Sequence, residues 1–195
     1  KMMKHNMVGD LFDLTDRTAI VTGGSRGIGK AIGRAYAESG ANLIITSRNE
    51  EELKSACEEI NNHVNTRVEY YSVDLRDRKH TDQMTSWALS EFGVIDILVN
   101  NAGDNSRESL IGTTDKNWDN LVEINLTSAM RLSRALAPQM IEQKWGRIIY
   151  TSSIMAFSSN LERGAYSATK AGLVGMTRAQ ALELGPAGIT VNCLA

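Results

Sequence analysis

Short apolar runs alternate along this chain with longer segments in which apolar residues recur every three or four positions. Leu43-Ile44-Ile45 is apolar at consecutive positions, as in strands that helices cover on both faces. The segment 28–36 instead places its apolar residues on one face of a helix. Together these patterns predict strands at 17–23, 42–47, 67–73, 95–99, 147–152 and 189–194. They predict helices at 27–39, 49–61, 78–91, 115–143 and 166–184.

Regular alternation of strands and helices predicts an α/β fold, a doubly wound parallel sheet, with residues 1–195 as a single domain. Residues 1–16 are predicted to be an irregular lead-in, and we expect Leu11, Phe12 and Leu14 to pack on the sheet. The helix at 115–143 is apolar on two sides. One side must face the sheet, and the other meets either a neighbouring helix or a second subunit.

A glycine-rich turn lies between the first predicted strand and the first predicted helix. A strand that enters such a turn and opens a helix is typical of a dinucleotide-binding Rossmann unit, where the helix N-terminus faces the pyrophosphate. A glycine turn can also do no more than connect a strand to a helix. The residues expected to contact a dinucleotide here are Gly23, Ser25, Arg26, Gly27, Ile28 and Gly29.

Tyr166 and Lys170 are four positions apart on a predicted helix and therefore share a face. The Lys170 ammonium near the Tyr166 phenol would favour the phenolate form. A phenol adjusted in this way can act as a general acid or base on an alcohol–carbonyl couple. Taken alone, the same spacing also describes an ordinary exposed helical pair.

Further polar residues follow strand ends, where ligands of open α/β sheets bind. Ser153 follows the strand at 147–152, Asn100-Asn101-Ala102-Gly103 follows the strand at 95–99, and Asn125 lies inside the long helix. With the glycine turn and the Tyr166–Lys170 pair, the chain resembles the short-chain dehydrogenase/reductase family over residues 12–195. Within that family it is similar to 3-oxoacyl-(acyl carrier protein) reductase-like and gluconate dehydrogenase-like members.

The resemblance implies catalytic roles for four residues. Tyr166 would donate a proton to a carbonyl oxygen in reduction, or accept one in oxidation. Ser153 would hydrogen-bond that oxygen, whereas Ser152 is expected to be structural. Lys170 would influence Tyr166 and bind the nicotinamide ribose. Asn125 would distort the long helix and hold a water that relays protons to Lys170.

The resemblance also assigns residues to the cofactor. Asn101, Ala102 and Gly103 would line the adenosine ribose and ring. Asp74, followed by Leu75 at the end of the third strand, would hydrogen-bond the adenine amine. Candidates for lining a substrate pocket are Asp104, Asn105, Met155, Ala156 and Phe157.

The end of the second predicted strand bears on the choice between NAD and NADP. NAD enzymes commonly place an acid about 20 residues after the glycine turn, where it holds the ribose 2′-hydroxyl. Here Ser47-Arg48-Asn49 follows the strand, and no acid precedes Glu50. Arg48 and Arg26 can instead meet a 2′-phosphate, although both can also be ordinary solvated charges. The sequence therefore favours NADP over NAD.

Charge and composition narrow the classes of partner and compartment. A net charge of −2 without a basic run argues against nucleic acid and anionic membranes. Two distant cysteines outside any C-x-x-C pair indicate a reduced, cytoplasmic compartment. No secretory signal is expected from residues 1–10, and no metal site from the three histidines. The resemblance implies a homo-oligomer, a dimer or a tetramer.

Two functions remain open from the sequence. The first is an NADP-dependent oxidoreductase that moves hydride between nicotinamide and a small ketone or secondary alcohol. The second is a dinucleotide-binding protein or fragment without turnover. Family members usually continue past 189–195 with a substrate-covering loop and a final strand, so we expect those parts to be absent here. The last strand would then be an unpaired, apolar edge.

Overall fold

The structure is a computed structural model that describes residues 11–195. Six parallel strands form one sheet in the order β3-β2-β1-β4-β5-β6. Because the order reverses beside β1, the loops after β1 and β4 leave a crevice between them at the carboxyl edge. The strands are β1 (Thr18–Thr22), β2 (Asn42–Ser47), β3 (Val68–Ser72), β4 (Ile97–Asn100), β5 (Gly146–Thr151) and β6 (Ile189–Leu194).

Helices cover both faces of the sheet, as the apolar strands predicted. The helices are α1 (Gly27–Glu38), α2 (Glu50–Asn61), α3 (Arg78–Phe92), α4 (Asp115–Val122), α5 (Ser128–Gln143) and α6 (Gly164–Leu184). Alternate residues of β1 show the two faces, because Ala19 and Val21 pack under α1 and α2 while Ile20 packs under α3, α5 and α6. The fold class predicted from the sequence is confirmed.

The predicted helix at 115–143 is wrong as one continuous α-helix. A π-helical turn, Glu123–Thr127, separates α4 from α5. The turn lies where the resemblance expected a local distortion, and it contains Asn125. Leu126 lies on the second apolar side and packs on α6, because a Cβ added to Gly172 of α6 would lie 3.0 Å from the Leu126 Cδ2 atom. For Leu126, therefore, the neighbour is a helix of the same chain.

Other boundaries differ from the prediction by one or two residues, and two short turns were not predicted. Strand β4 begins at Ile97 rather than at 95, because the Asp96 carboxylate accepts the Thr18 backbone N–H in place of a strand carbonyl. Helix α6 begins at Gly164 rather than at 166. Short 3₁₀ turns at Ile154–Ala156 and Gly185–Ala187 were not predicted, because three residues carry no periodic signal.

The two ends of the described chain match the expectations only in part. Leu11 and Phe12 are 70% and 68% exposed, so the expectation that they pack on the sheet is wrong. Leu14 does pack against the core, while the lead-in residues 1–10 lie outside the described residues. Strand β6 pairs only with β5 within residues 11–195 and so forms an edge of the sheet. Its Ile189 and Val191 are buried.

Candidate active site

The glycine turn brings the end of β1 close to the start of α1. Gly23 has φ +67°, a conformation that side chains disfavour. A Cβ at Gly29 would lie 2.2 Å from the Gly23 carbonyl oxygen, so only glycine allows this approach. Arg26 precedes α1 without capping it by its side chain. The first N–H groups of α1 are therefore left for a ligand, preferably an anion.

Thr22 joins this turn to the segment after β4. Its hydroxyl oxygen accepts hydrogen bonds from the backbone N–H groups of Asn101 at 3.0 Å and Ala102 at 2.9 Å. The Asn101 side chain donates to the Thr22 carbonyl at 3.0 Å. Two strand ends are thus held together at the crevice. Thr22 was not singled out by sequence reasoning, although it begins the glycine motif.

Between these segments lies a cleft of about 890 Å³, which we call the glycine cleft. Some of the predicted cofactor residues do not line this cleft: Gly27, Ile28 and Gly29, and the Tyr166–Lys170 pair. The Ile28 side chain is 67% exposed. Those that do line it are Gly23, Ser25, Arg26, Ser47, Arg48, Asp74, Leu75, Asn101, Ala102 and Gly103. The structure therefore brings most of the predicted set together around one space.

Both positively and negatively charged side chains line the glycine cleft. Arg26 and Arg48 line it, and neither forms an ion pair within residues 11–195. The first turn of α2 adds a run of acids, 50–52, that sequence reasoning did not place in the site. Glu52 reaches across to accept a hydrogen bond from the Ser25 hydroxyl at 3.3 Å. The two arginines are thus the cations available there to an anionic ligand.

Asp74 has a partner that the sequence did not reveal. Arg76 donates to its two carboxylate oxygens, with the closest contact, from Nη2, at 2.6 Å. These hydrogen bonds hold the pKa of Asp74 below its ordinary value, although partial burial opposes them. Asp74 is consequently an ionised acceptor beside the cleft. Arg76 lines the cleft as well, and only its spacing of two residues from Asp74 could have suggested the pair.

A second group of residues surrounds Lys170, which is 4% exposed. Its Nζ atom donates to the Thr151 carbonyl oxygen at 2.6 Å and lies 5.6 Å from the centre of the Tyr166 ring. Burial lowers the pKa of Lys170. Burying a charged ammonium here lowers the stability of the folded protein. Buried charged groups that carry such a cost are often functional.

Asn125 fixes the loop after β4 from within the π-helical turn. Its side-chain oxygen accepts from the Asp104 N–H at 2.8 Å, and its nitrogen donates to the Asp104 carbonyl at 2.9 Å. The nitrogen also donates to the Thr169 hydroxyl at 3.1 Å. One lone pair of the side-chain oxygen has no partner among residues 11–195 and is left for a water.

The two serines after β5 have different surroundings. Ser152 is buried, and its hydroxyl donates to the Lys170 carbonyl at 2.9 Å, which fits the structural role expected for it. The Ser153 oxygen accepts the Met155 N–H at 3.2 Å at the start of the 3₁₀ turn. Its hydroxyl proton has no acceptor among residues 11–195, so Ser153 can donate to a ligand.

Gly103 connects the glycine cleft to this second group. A Cβ added there would lie 2.9 Å from the Asn125 side-chain oxygen and 3.6 Å from the Lys170 Nζ atom. A ligand that extends from the cleft past Gly103 therefore reaches the ammonium. The glycine cleft and the group around Lys170 therefore adjoin at Gly103.

Comparison with known proteins decides the family. The family model for short chain dehydrogenase matches residues 17–195. The chain is 36% identical over 182 residues to 3-oxoacyl-(acyl-carrier-protein) reductase FabG of Chlamydia muridarum, covering 93% of this chain and 73% of that protein. This protein belongs to the short-chain dehydrogenase/reductase family. It is thus an NAD(P)-dependent oxidoreductase that acts on ketones or secondary alcohols.

Other members of this short-chain dehydrogenase/reductase family are about as similar. D-beta-hydroxybutyrate dehydrogenase of Cupriavidus necator is 36% identical, with 93% of this chain and 70% of that protein covered. A solved metagenomic short-chain oxidoreductase in complex with NADP has a TM-score of 0.89 at 35% identity, covering 92% of this chain and 81% of that chain. A structure from Beutenbergia cavernae described as an NAD(P)-dependent gluconate 5-dehydrogenase, with NADP bound, has a TM-score of 0.89 at 34% identity, covering 94% and 73%.

Two kinds of feature are absent from residues 11–195. No helix in this range has the length and apolar character needed to cross a membrane. No group of three His, Cys, Asp or Glu side chains is arranged there to hold a metal ion.

Proposed function

We propose that this protein is an NADP-dependent reductase or dehydrogenase in which Tyr166 exchanges the proton with substrate. The observation that carries the proposal is the position of Lys170. Its buried ammonium lies between the Thr151 carbonyl, Gly103 and the Tyr166 ring. A tyrosine held beside this ammonium, next to a cleft that fits the cofactor, can serve as general acid or base for an alcohol–carbonyl couple.

The glycine cleft fits the adenosine half of the cofactor. The close approach at Gly29 and the uncapped start of α1 suit a pyrophosphate, and residues 101–103 would meet the adenosine. Asp74 would accept from the adenine amine with an oxygen that Arg76 leaves accessible. When bound, the nicotinamide supplies or accepts hydride. Lys170 would hold the nicotinamide ribose, since it lies just beyond Gly103.

The residues around Lys170 would handle the proton and the substrate oxygen. Ser153 would donate its free hydroxyl proton to that oxygen, so that the oxygen is held near the Tyr166 phenol. Asn125 would keep residues 103–104 in place and hold a water with its remaining lone pair. Through this water, protons would reach Lys170 and then Tyr166.

We propose NADP rather than NAD because of the charges in the cleft. Arg26 and Arg48 have no ion-pair partner among residues 11–195, and a 2′-phosphate would supply one. The acids at 50–52 line the same cleft and are the groups that would hold a ribose 2′-hydroxyl if the cofactor were NAD. Glu52, however, is already hydrogen-bonded to Ser25.

Deuterium transfer tests this function directly. The protein is incubated with NADPH or NADH, each deuterated at C4, together with a panel of small ketones. Mass spectrometry of the product alcohols should find deuterium, mostly from NADPH. Binding of NADPH without transfer to any ketone would favour a dinucleotide-binding protein without turnover. Faster transfer from NADH would contradict the choice of cofactor.

We further propose that residues 1–195 form one cofactor-binding domain, with 1–16 as its lead-in, and that the protein works as a cytoplasmic homo-oligomer. The family resemblance and the cysteine usage support these statements. Light scattering on the purified protein would measure the oligomeric state, and a monomer at all concentrations would contradict it.

A further inference from the structure

Arg163 stands at the N-terminus of α6, the helix that carries the proposed proton donor. It immediately precedes α6, three positions before Tyr166 and seven before Lys170, and its carbonyl accepts the Ser167 N–H of the first turn at 2.8 Å. In sequence, Tyr166 therefore lies between two cationic residues.

The loop after β4 runs along α6. Its Gly103 lies next to the Lys170 Nζ atom, and its Asn105 and Ser106 accept hydrogen bonds from the Arg163 Nη1 atom. The loop thus passes Tyr166 between two anchored points. Arg163 is thereby fixed beside the space in which Ser153 and Tyr166 would meet a substrate.

The backbone before Arg163 is also held in an unusual conformation. Glu162 has φ 61°, which is uncommon for a residue with a side chain, and its carbonyl accepts the Glu108 N–H at 3.1 Å. Such a conformation is strained and persists where the surrounding structure determines it. The chain is thus constrained to enter α6 with Arg163 against the loop.

The guanidinium of Arg163 has an unused edge. Its two hydrogen bonds come from Nη1 and go to neutral oxygens, whereas Nε and Nη2 have no partner among residues 11–195. No carboxylate in this range forms an ion pair with it. The Nε–Nη2 edge is the one that matches the two oxygens of a carboxylate.

The nearby acids form no ion pair with this guanidinium. Glu108 accepts a hydrogen bond from the Asn117 side chain at 2.5 Å, and its other carboxylate oxygen is buried without a partner among residues 11–195. Asp104 lines the glycine cleft, where its charge acts on Arg76. The free edge of the half-buried Arg163 guanidinium is therefore left for a ligand.

We propose that Arg163 binds a carboxylate of the substrate, so that the preferred substrates are short oxo acids and the corresponding hydroxy acids. This inference rests on the proposed function and names the substrate class for that site. The phosphate of a pantetheine thioester is a less suitable ligand, because the whole pantetheine arm separates it from the carbonyl. Arg163 is only three residues from Tyr166, so their Cα atoms are at most about 11 Å apart.

The test compares an oxo acid with its methyl ester, which has the same carbonyl but no charge. Steady-state kcat/KM is measured for 4-oxopentanoate, methyl 4-oxopentanoate and a 3-oxoacyl-coenzyme A thioester, in the parent and in Arg163→Met. We expect the parent to prefer the acid. In Arg163→Met, kcat/KM for the acid should fall roughly 10- to 150-fold, the equivalent of a charge-assisted hydrogen bond. The value for the ester should be unchanged.

Two further variants separate binding from loop support. Arg163→Lys keeps a positive charge and should retain part of the preference for the acid. Arg107→Met removes an exposed charge from the same loop and should leave the preference intact. Equal losses for acid and ester in Arg163→Met would mean that Arg163 only supports the loop, and the inference would be wrong.

The remaining outcomes also decide the question. Turnover of the ester without a preference for the acid overturns the inference and leaves the proposed function standing. A loss in Arg163→Met that is confined to the thioester assigns Arg163 to a phosphate-bearing arm and overturns the carboxylate assignment. No turnover of any carbonyl by the parent overturns the proposed function itself, and this inference with it.

Discussion

The glycine cleft and the group around Lys170 are built in different ways. The cleft consists mainly of backbone: a glycine turn, an uncapped helix start and two strand ends joined through Thr22. The Lys170 group is assembled from distant segments by side-chain bonds, such as Lys170 to the Thr151 carbonyl and Asn125 to Asp104. Local sequence therefore determines the binding half, whereas tertiary packing determines the reacting half.

The largest effect should come from filling the closest backbone contact of the cleft. In Gly29→Ala the new Cβ would meet the Gly23 carbonyl at 2.2 Å, so the turn must open. We expect the free energy of unfolding to fall by about 3 kcal/mol, at the upper end of the usual cost of overpacking a core. We also expect NADPH binding to be lost. Urea denaturation and fluorescence titration measure both quantities.

Gly175→Ala on α6 is the matched control, because nothing lies within 4 Å of its added Cβ. It should raise stability by roughly 0.5–1 kcal/mol, the usual gain from glycine to alanine in a helix. If Gly29→Ala were as harmless as this control, the backbone account of the cleft would be wrong.

Arg48→Ala tests the charge in the cleft without changing its backbone. Loss of one charge-assisted hydrogen bond to a 2′-phosphate should weaken NADPH binding by about 1.5–3 kcal/mol. NADH lacks this phosphate, so its affinity should not change. Arg34→Ala, an exposed arginine paired with Glu38 outside the cleft, is the control. Equal weakening of both cofactors by Arg48→Ala would contradict the assignment of NADP.

The smallest of these effects concerns the cost of burying Lys170. Because burial lowers its pKa from 10.5, the unfolded chain binds more protons between the lowered value and 10.5, and stability rises with pH in that window. Lys170→Met removes the cost and should stabilise the cofactor-free protein at pH 7 by about 0.5–2 kcal/mol. This advantage should vanish as the pH approaches 10.5.

Thermal unfolding over a range of pH values checks the Lys170 prediction. Lys54→Met replaces an exposed lysine of α2 and should shift Tm little at any pH. A destabilised Lys170→Met variant at pH 7 would mean that the bond to the Thr151 carbonyl outweighs desolvation.

Sequence reasoning succeeded where structure depends on neighbouring residues. The order of strands and helices followed from apolar runs and from the segments in which apolar residues recur every three or four positions. The π-helical turn could be expected only by resemblance, since Asn125 forms its bonds with residues 21 and 44 positions away. The same limit hid the acids at 50–52, because their place in the cleft depends on which segments converge in space. The Asp74–Arg76 pair is local, and its spacing of two residues could have suggested it.

The most direct test of the account is Tyr166→Phe, which keeps the ring and removes only the transferable proton. Oxo-acid reduction and NADPH affinity are measured on the same preparations of parent and variant protein. We predict that turnover falls roughly 10²- to 10⁴-fold, the usual contribution of general acid–base catalysis, while NADPH affinity is unchanged. A variant that retained more than about half of the parent rate would show that Tyr166 is not the proton donor, because general acid–base catalysis contributes far more than a factor of about two.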